Sequence, residues 1–317
     1  MSQVTKHINA GAGVIQLPRE AAFPKNPSNN VWRRFRRHPG AMGGILVLGL
    51  IIAAVVLASF MPFDPNTSNM VERFQIPSLR HLMGTDALGR DMLTRVLYGG
   101  RISLTVGLLV VAITLSIGVT LGALSGYFGG IVDSVLMRIT DAALTLPSLL
   151  ILILLSAILR EIEFPLLARN SVLTIALVIG FLSWMTFARL VRASFLILRE
   201  KEFVTASRSL GASHLRLITM HILPNAIGVI TVESTLELGY AIIEESGLSF
   251  LGFGIQPPTP SWGNLLSNAQ ENFLKYPWLA IFPGLMIFLT IISVNYIGDG
   301  LRDAFDPYKM LKKVGEV

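Results

Sequence analysis

The chain has 317 residues, 52% hydrophobic and only 15% charged, with a mean hydropathy of +0.61. Soluble domains carry about 25% charged residues, so this composition belongs to a chain folded in lipid. The absence of cysteine excludes disulfides, iron–sulfur clusters and thiol nucleophiles, and the net charge of +6 does not signal nucleic acid, because the basic residues cluster beside apolar runs.

Residues 1–40 form a polar N-terminal tail that closes on Trp32-Arg33-Arg34-Phe35-Arg36-Arg37-His38. Its composition predicts disorder up to Val31, then an amphipathic segment suited to a membrane surface. The apolar run 41–60 offers about 20 residues, roughly 30 Å of helix, and reads as an uncleaved first span rather than a cleaved signal. Further spans are predicted near 102–127, 134–159, 172–197, 224–245 and 278–298, giving six. Pro147 is placed to kink the third. The expected fold class is an all-α integral membrane protein. Lys and Arg set its orientation: 18 fall on the side of the two tails (1–40 and 301–317), the turn at Arg138 and the 188–222 region, and 8 on the other. Both termini are therefore expected to be cytoplasmic.

The 61–101 stretch is read as an extracytoplasmic loop with an interfacial helix, Thr85 or Asp86 capping a segment through Met92, Leu93, Val96 and Leu97. Asp86, Arg90 and Asp91 suit an ion-paired helix start better than a metal or acid–base pair. The core 102–300 follows. In the second span, Gly118 and Gly122 form a small-xxx-small pattern that lets helices approach closely, and Gly126-Tyr127-Phe128-Gly129-Gly130 reverses the chain.

Between two strongly apolar segments lies a polar stretch, 199–224, with two short amphipathic helices written into it. Phe203, Ala206, Ser207 and Leu210 share one face of the first; Leu217, Ile218 and His221 belong to the second. Gly211 permits the turn between them, and Pro224 suits the first turn of the next helix. A helix–turn–helix hung between two spans is a surface for a partner in the aqueous phase.

The fifth span is chemically unusual. At 100° per residue, Glu233, Glu237, Tyr240 and Glu244 lie within an arc of roughly 60°. An acidic residue at a helix centre costs about 2.5–3.5 kcal/mol in lipid, so this stripe faces either a wet passage or basic partners on a neighbouring chain. Glu244 and Glu245 fall near the end of the span, where the penalty is smaller. The Gly-, Pro- and aromatic-rich run 245–263 then reads as a loop closing the outer face. The chain has no G-x-x-x-x-G-K-[ST], no G-x-S-x-G, no H-E-x-x-H and no metal-binding cluster among its five histidines.

The 199–224 stretch resembles the EAA motif of ABC importer permeases, E-A-A-x3-G-x9-I-x-L-P, in the register Thr205-Ala206-Ser207, Gly211 and His221-Ile222-Leu223-Pro224. The spacing fits throughout. Thr205 replaces the usual glutamate, Ser207 the second alanine and His221 the isoleucine. Three more runs are similar to the dipeptide/oligopeptide/nickel branch, in its DppC/OppC-type subunit. They are Gly84-Thr85-Asp86 with Gly89-Arg90-Asp91, the run from Ser246 to Gly263, and Gly298-Asp299-Gly300-Leu301-Arg302-Asp303 with Asp306-Pro307.

The resemblance implies a type I (MetI-like) permease in a bacterial or archaeal cytoplasmic membrane. Its partners would be a second homologous permease subunit, two ATPases holding ATP and Mg, and an extracytoplasmic binding protein. The cargo would be peptides, with nickel or oligosaccharides as alternatives; this chain would hold no cofactor or metal and catalyse nothing. It also assigns ATPase coupling to Glu202, Phe203, Thr205, Ala206, Ser207, Leu210, Gly211, Leu223 and Pro224. Thr205 offers only a neutral hydrogen bond, with Glu202 positioned three residues earlier as a substitute charge. Glu233, Glu237, Tyr240 and Glu244 are the candidate pathway residues. Two other classes stay open on the residues alone: a proton-coupled secondary transporter using those glutamates, and a membrane anchor for a complex.

Overall fold

Apolar length decides the architecture. A computed structural model describes residues 27–161 and 170–306, so the expectations for the tails before 27 and after 306 and for the 162–169 connection lie outside the described residues. The regular elements are helices: α1 (Pro27–Phe35), α2 (Pro39–Leu57), α3 (Met92–Phe128), α4 (Gly130–Leu144), α5 (Ser148–Glu161), α6 (Ser171–Arg199), α7 (Glu202–Ser209), α8 (His214–Phe250), α9 (Trp262–Ala269) and α10 (Trp278–Phe305). Among the described residues, α2, α3, α6, α8 and α10 are each long and apolar enough to cross a membrane.

The predicted third span is different in kind. It is two helices, α4 and α5, meeting at 90°, and they count as a sixth crossing only as a pair. Pro147 lies at the break, and the residue before a proline is driven out of the helical region, so the chain turns a corner here instead of kinking.

Three boundaries also move. The second span starts at Met92, so the division at 101/102 falls inside one continuous helix. Its cap is neither Thr85 nor Asp86 but Asp91, whose Oδ2 accepts from Thr94 N and Thr94 Oγ1, both at 2.8 Å. Asp86 is already committed, accepting from Leu88 N at 2.9 Å and Arg90 Nε at 2.7 Å, as the ion-paired reading expected. The second short helix of the 199–224 stretch is the first part of α8, which runs unbroken from His214 to Phe250. Pro224 stands in the first turn of the α-helical segment Leu223–Phe250, as expected, but that segment continues a helix already under way. The backbone absorbs the proline by widening into a π-helical stretch at Leu217–Ile222, relieving the clash between the proline ring and the preceding turn.

α3 and α6 run parallel, side by side along one seam. α3 and α6 share the most extensive interface of the described elements. Gly118, Gly122 and Gly126 of α3 lie flat against α6: a Cβ on Gly122 would stand 2.5 Å from Ala188 O, and one on Gly126 2.6 Å from Phe195 Cβ. Gly180 returns the contact from α6, against Ile113. Where backbones approach this closely dispersion contacts accumulate along the pair, the main cohesive term between helices in lipid.

Polar ties fix the ends. At one end Arg192 of α6 clasps Asp133 of α4 (Nη2 to Oδ2, 2.6 Å), Ser125 of α3 donates to the same carboxylate, and Arg189 pairs with Asp141 at 2.9 Å. The turn between α3 and α4 uses positive φ at Gly129 and Gly130, beside which Arg199 donates to Gly126 O at 3.1 Å. Arg34 of α1 reaches Asp306 O at 3.4 Å, so both termini of the described chain lie at this end. At the other end Arg101 satisfies terminal carbonyls of α2, donating to Val55 O at 2.9 Å and Val56 O at 2.8 Å. Trp262 of α9 is fully buried there and donates from Nε1 to Val96 O at 2.9 Å.

Gly122→Leu should therefore split the seam, costing about 1–3 kcal/mol or more by overpacking. The expected result is a lower unfolding temperature and a loss of monodisperse protein in detergent. Gly43→Ala, where a Cβ meets nothing within 4 Å, should leave both unchanged.

Candidate functional site: a projecting helix and an acidic cavity

α7 is eight residues long and is held to the bundle by one side chain. Val204 is completely buried in an apolar cluster with Tyr127, Val191, Phe195, Leu217 and Ile222. The residues on the predicted face point elsewhere: Phe203 is 41% exposed and Leu210 90% exposed. Thr205, Ala206 and Glu202 are exposed too, while Ser207 is half-buried. Three hydroxyls are spent on the helix's own carbonyls: Thr205 Oγ1 to Lys201 O (3.3 Å), Ser207 Oγ to Phe203 O (2.8 Å) and Ser209 Oγ to Thr205 O (3.1 Å). Thr205 is thus a capped stub and not an extended acceptor like the glutamate it replaces in the motif.

The joints on either side of α7 are short. Glu200 and Lys201 connect it to α6, and Leu210 to Ser213 connect it to α8. Gly211 has φ +84°, a left-handed conformation that a side chain would strain, and it ends α7 by donating from its N to Arg208 O at 3.0 Å. Ser213 then caps α8, accepting from Arg216 N at 3.4 Å. His214 Nδ1 lies 2.8 Å from Tyr127 Oη, tying the first residue of α8 to the end of α3. Leu223 is half-buried and Pro224 exposed, both just past the π-helical stretch. A force applied to α7 is thus handed to α6 on one side and α8 on the other with little slack.

Farther along α8, Glu233, Glu237, Tyr240 and Glu244 line one cavity of about 260 Å³, so the geometry brings together the whole predicted stripe. Its opposite walls are Ser183 and Thr186 of α6 and residues around the α4–α5 corner, including Leu146 and Ser148. Residues on both sides of the Pro147 corner, Ala143, Leu144 and Leu146 before it and Ser148 and Ile151 after it, form this wall. Glu233 also borders a second cavity of about 410 Å³ that runs toward Arg302 and Phe305 of α10, at the end of the bundle bearing α7.

One acidic residue stands apart from the rest. Glu245 is fully buried beneath α9, not at an exposed helix end. Its Oε2 accepts from Ser103 Oγ (2.8 Å) and its Oε1 from Ser249 Oγ (2.7 Å). Those serines in turn accept from Trp262 N (3.2 Å) and Ile255 N (2.9 Å). The carboxyl group is the hub that pins the 251–261 loop and the start of α9 onto α3. Sequence reasoning missed it, since its partner Ser103 and the residues that bond the two serines, Ile255 and Trp262, lie far off in the chain. Val204 was missed likewise; its apolar character beside a buried cluster was the only signal.

A polytopic helical bundle with an acidic cavity between its spans and a short helix projecting from one end is the build of a membrane transport permease. Residues 118–309 match the family described as binding-protein-dependent transport system inner membrane component, and residues 26–77 match the N-terminal TM domain of oligopeptide transport permease C. Similar proteins include the glutathione transport system permease protein GsiD of Pectobacterium atrosepticum, 39% identical over 89% of this chain and 92% of that protein. Another is the dipeptide transport system permease protein DppC of Alkalihalophilus pseudofirmus, 39% identical over 92% of this chain and 93% of that protein. The chain belongs to the family of binding-protein-dependent transport system inner membrane components. It is a multi-pass permease subunit of the ABC type, and its family works with partner ATPases and a binding protein.

Removing the buried hub leaves two serine hydroxyls without their acceptor. Glu245→Ala should lower the stability of the purified subunit by about 1–3 kcal/mol, read as a drop in unfolding temperature. Glu245→Gln, which keeps one carbonyl acceptor, should lose less.

Proposed function

We propose that this chain is one of two homologous permease subunits of an ATP-driven importer of peptides, with α7 and both termini on the cytoplasmic side. The observation that carries the reading is α7 itself. A short helix anchored through Val204 alone, presenting Phe203 and Leu210 to water between two membrane helices, has the chemistry of a partner-docking element. The register of Thr205, Ala206, Ser207 and Gly211 supports ATPases as that partner. ATP and Mg would be held and turned over by those ATPases, this chain having no P-loop of its own and no catalytic role. The peptide cargo is supported by the relatives named for dipeptide and glutathione transport. An extracytoplasmic binding protein would deliver it to the end where α9 lies.

In this mechanism ATP-driven closure of the ATPases displaces α7 as a rigid body. The joint at Gly211 and the tie between His214 and Tyr127 convert that displacement into tilting of α6 and α8. The cavity along Glu233, Glu237, Tyr240 and Glu244 is then opened to one side of the membrane and closed to the other. Glu202, exposed in the first turn of α7, supplies the acidic contact that Thr205 lacks.

Gly211→Pro forces φ to about −65° where the backbone needs +84°, and Ala206→Glu puts a charge on the exposed face of α7. In the complete importer either change should abolish nucleotide-dependent peptide uptake and the coupling of ATP hydrolysis to the binding protein. Insertion of the subunit into membranes should persist. Undiminished uptake in both variants would overturn the coupling role.

A further inference from the structure

We propose that the acidic cavity is a ladder of stations for cationic groups, and that it gives this permease a preference for peptides bearing an extra ammonium or guanidinium group. The inference rests on the peptide-importer reading and names the chemistry that its passage favours.

Three observations carry it. The wall contributed by α8 presents Glu233, Glu237 and Glu244, and the lining of this cavity contains no Lys, Arg or His, Arg302 bordering only the second cavity that Glu233 shares. Glu237 is 91% buried (9% exposed), and its Oε1 is buried with no hydrogen-bond partner among the described residues. An unsatisfied carboxylate oxygen inside a membrane protein costs several kcal/mol unless something enters to pair with it, and the cavity it borders is the space such a group would occupy. Ser183 hydrogen-bonds the Glu237 carboxyl, leaving Oε1 as its open oxygen, and Thr186 and Tyr240 supply neutral hydrogen-bonding groups suited to a peptide's amides and hydroxyls.

The spacing argues for an organic cation and against a chelated metal. Glu237 and Glu244 are two helical turns apart, about 10 Å along the axis, and Glu233 lies about 6 Å the other way. Among the described residues no group of side chains could hold a metal ion together. Carboxylates strung out along one face suit an ammonium group that is handed from one to the next, each contact weak enough to be released. Glu233, shared between this cavity and the larger one reaching the α7 end, is the last rung before exit.

The test uses the whole importer, reconstituted in proteoliposomes with its partner permease, ATPases and binding protein. Uptake of a lysine-containing dipeptide is compared with that of its norleucine counterpart, which matches it in shape but lacks the side-chain charge. Because the binding protein is the same in every assay, its own selectivity cancels when variants are compared with wild type. Glu233→Gln/Glu237→Gln should lower the lysine-to-norleucine uptake ratio about tenfold, the worth of one charged hydrogen bond, whatever it does to uptake of the norleucine peptide. Glu237→Asp, which keeps the charge, should restore most of the ratio. Equal losses for both peptides would mean that the carboxylates serve structure or pair with a neighbouring chain, and would overturn the ladder while leaving the importer reading intact. Loss of Ni²⁺ uptake with an unchanged peptide ratio would overturn it in favour of a metal cargo. If the wild-type assembly shows no nucleotide-dependent uptake of either peptide, the importer reading fails and the ladder fails with it.

Discussion

Backbone-to-backbone contact between α3 and α6 is the constraint on which the remaining geometry depends. Three glycines at intervals of four bring the axes close enough that a single methyl group would collide with a carbonyl oxygen or a side-chain stem. In a medium as apolar as the side chains themselves there is no hydrophobic reward for burying leucine, so close fit has to do the holding. This seam fixes where Ser125 and Arg192 stand, and hence how Asp133 receives them both. It also fixes the end of α3 against which Tyr127 meets His214. The orientation of α7 and the depth of the acidic cavity are both downstream of it.

How much could be read from residues alone differs from element to element, for physical reasons. The Gly118–Gly122 pattern was legible because close helix approach demands small residues at a fixed interval, whatever the partner. The acidic stripe was legible for a similar reason: charge in a span is so costly that its angular clustering implies a shared destination. By contrast, the corner at Pro147 looked like a kink, since a proline reports that a helix is interrupted and not by how much the chain turns. The cap of α3 was misassigned because Thr85, Asp86 and Asp91 are all chemically able to cap. What excludes Asp86 is its engagement with Arg90, a tertiary fact.

The coupling stretch was half legible. Gly211 as a turn followed from its position between two amphipathic patterns, and its positive φ bears that out. Pro224 does stand in the first turn of the α-helical segment Leu223–Phe250, but a π-helical stretch joins that segment to the turn before it, which the sequence did not announce. The buried hub at Glu245 was invisible, since Ser249 one turn on is local but Ser103, Ile255 and Trp262, which complete the network, join it only once the bundle has closed.

The uninterrupted course of α8 has a mechanical consequence. Its 37 residues make a rod of about 55 Å, far longer than the roughly 30 Å hydrocarbon layer. The acidic stripe runs from its middle, at Glu233, to Glu244 beside the Glu245 hub, and the tie to Tyr127 holds the opposite tip. A continuous rod held toward both ends moves as one piece, so a push on its start is felt along its whole length. News of events at either face of the membrane therefore reaches the far face without any separate relay of side chains.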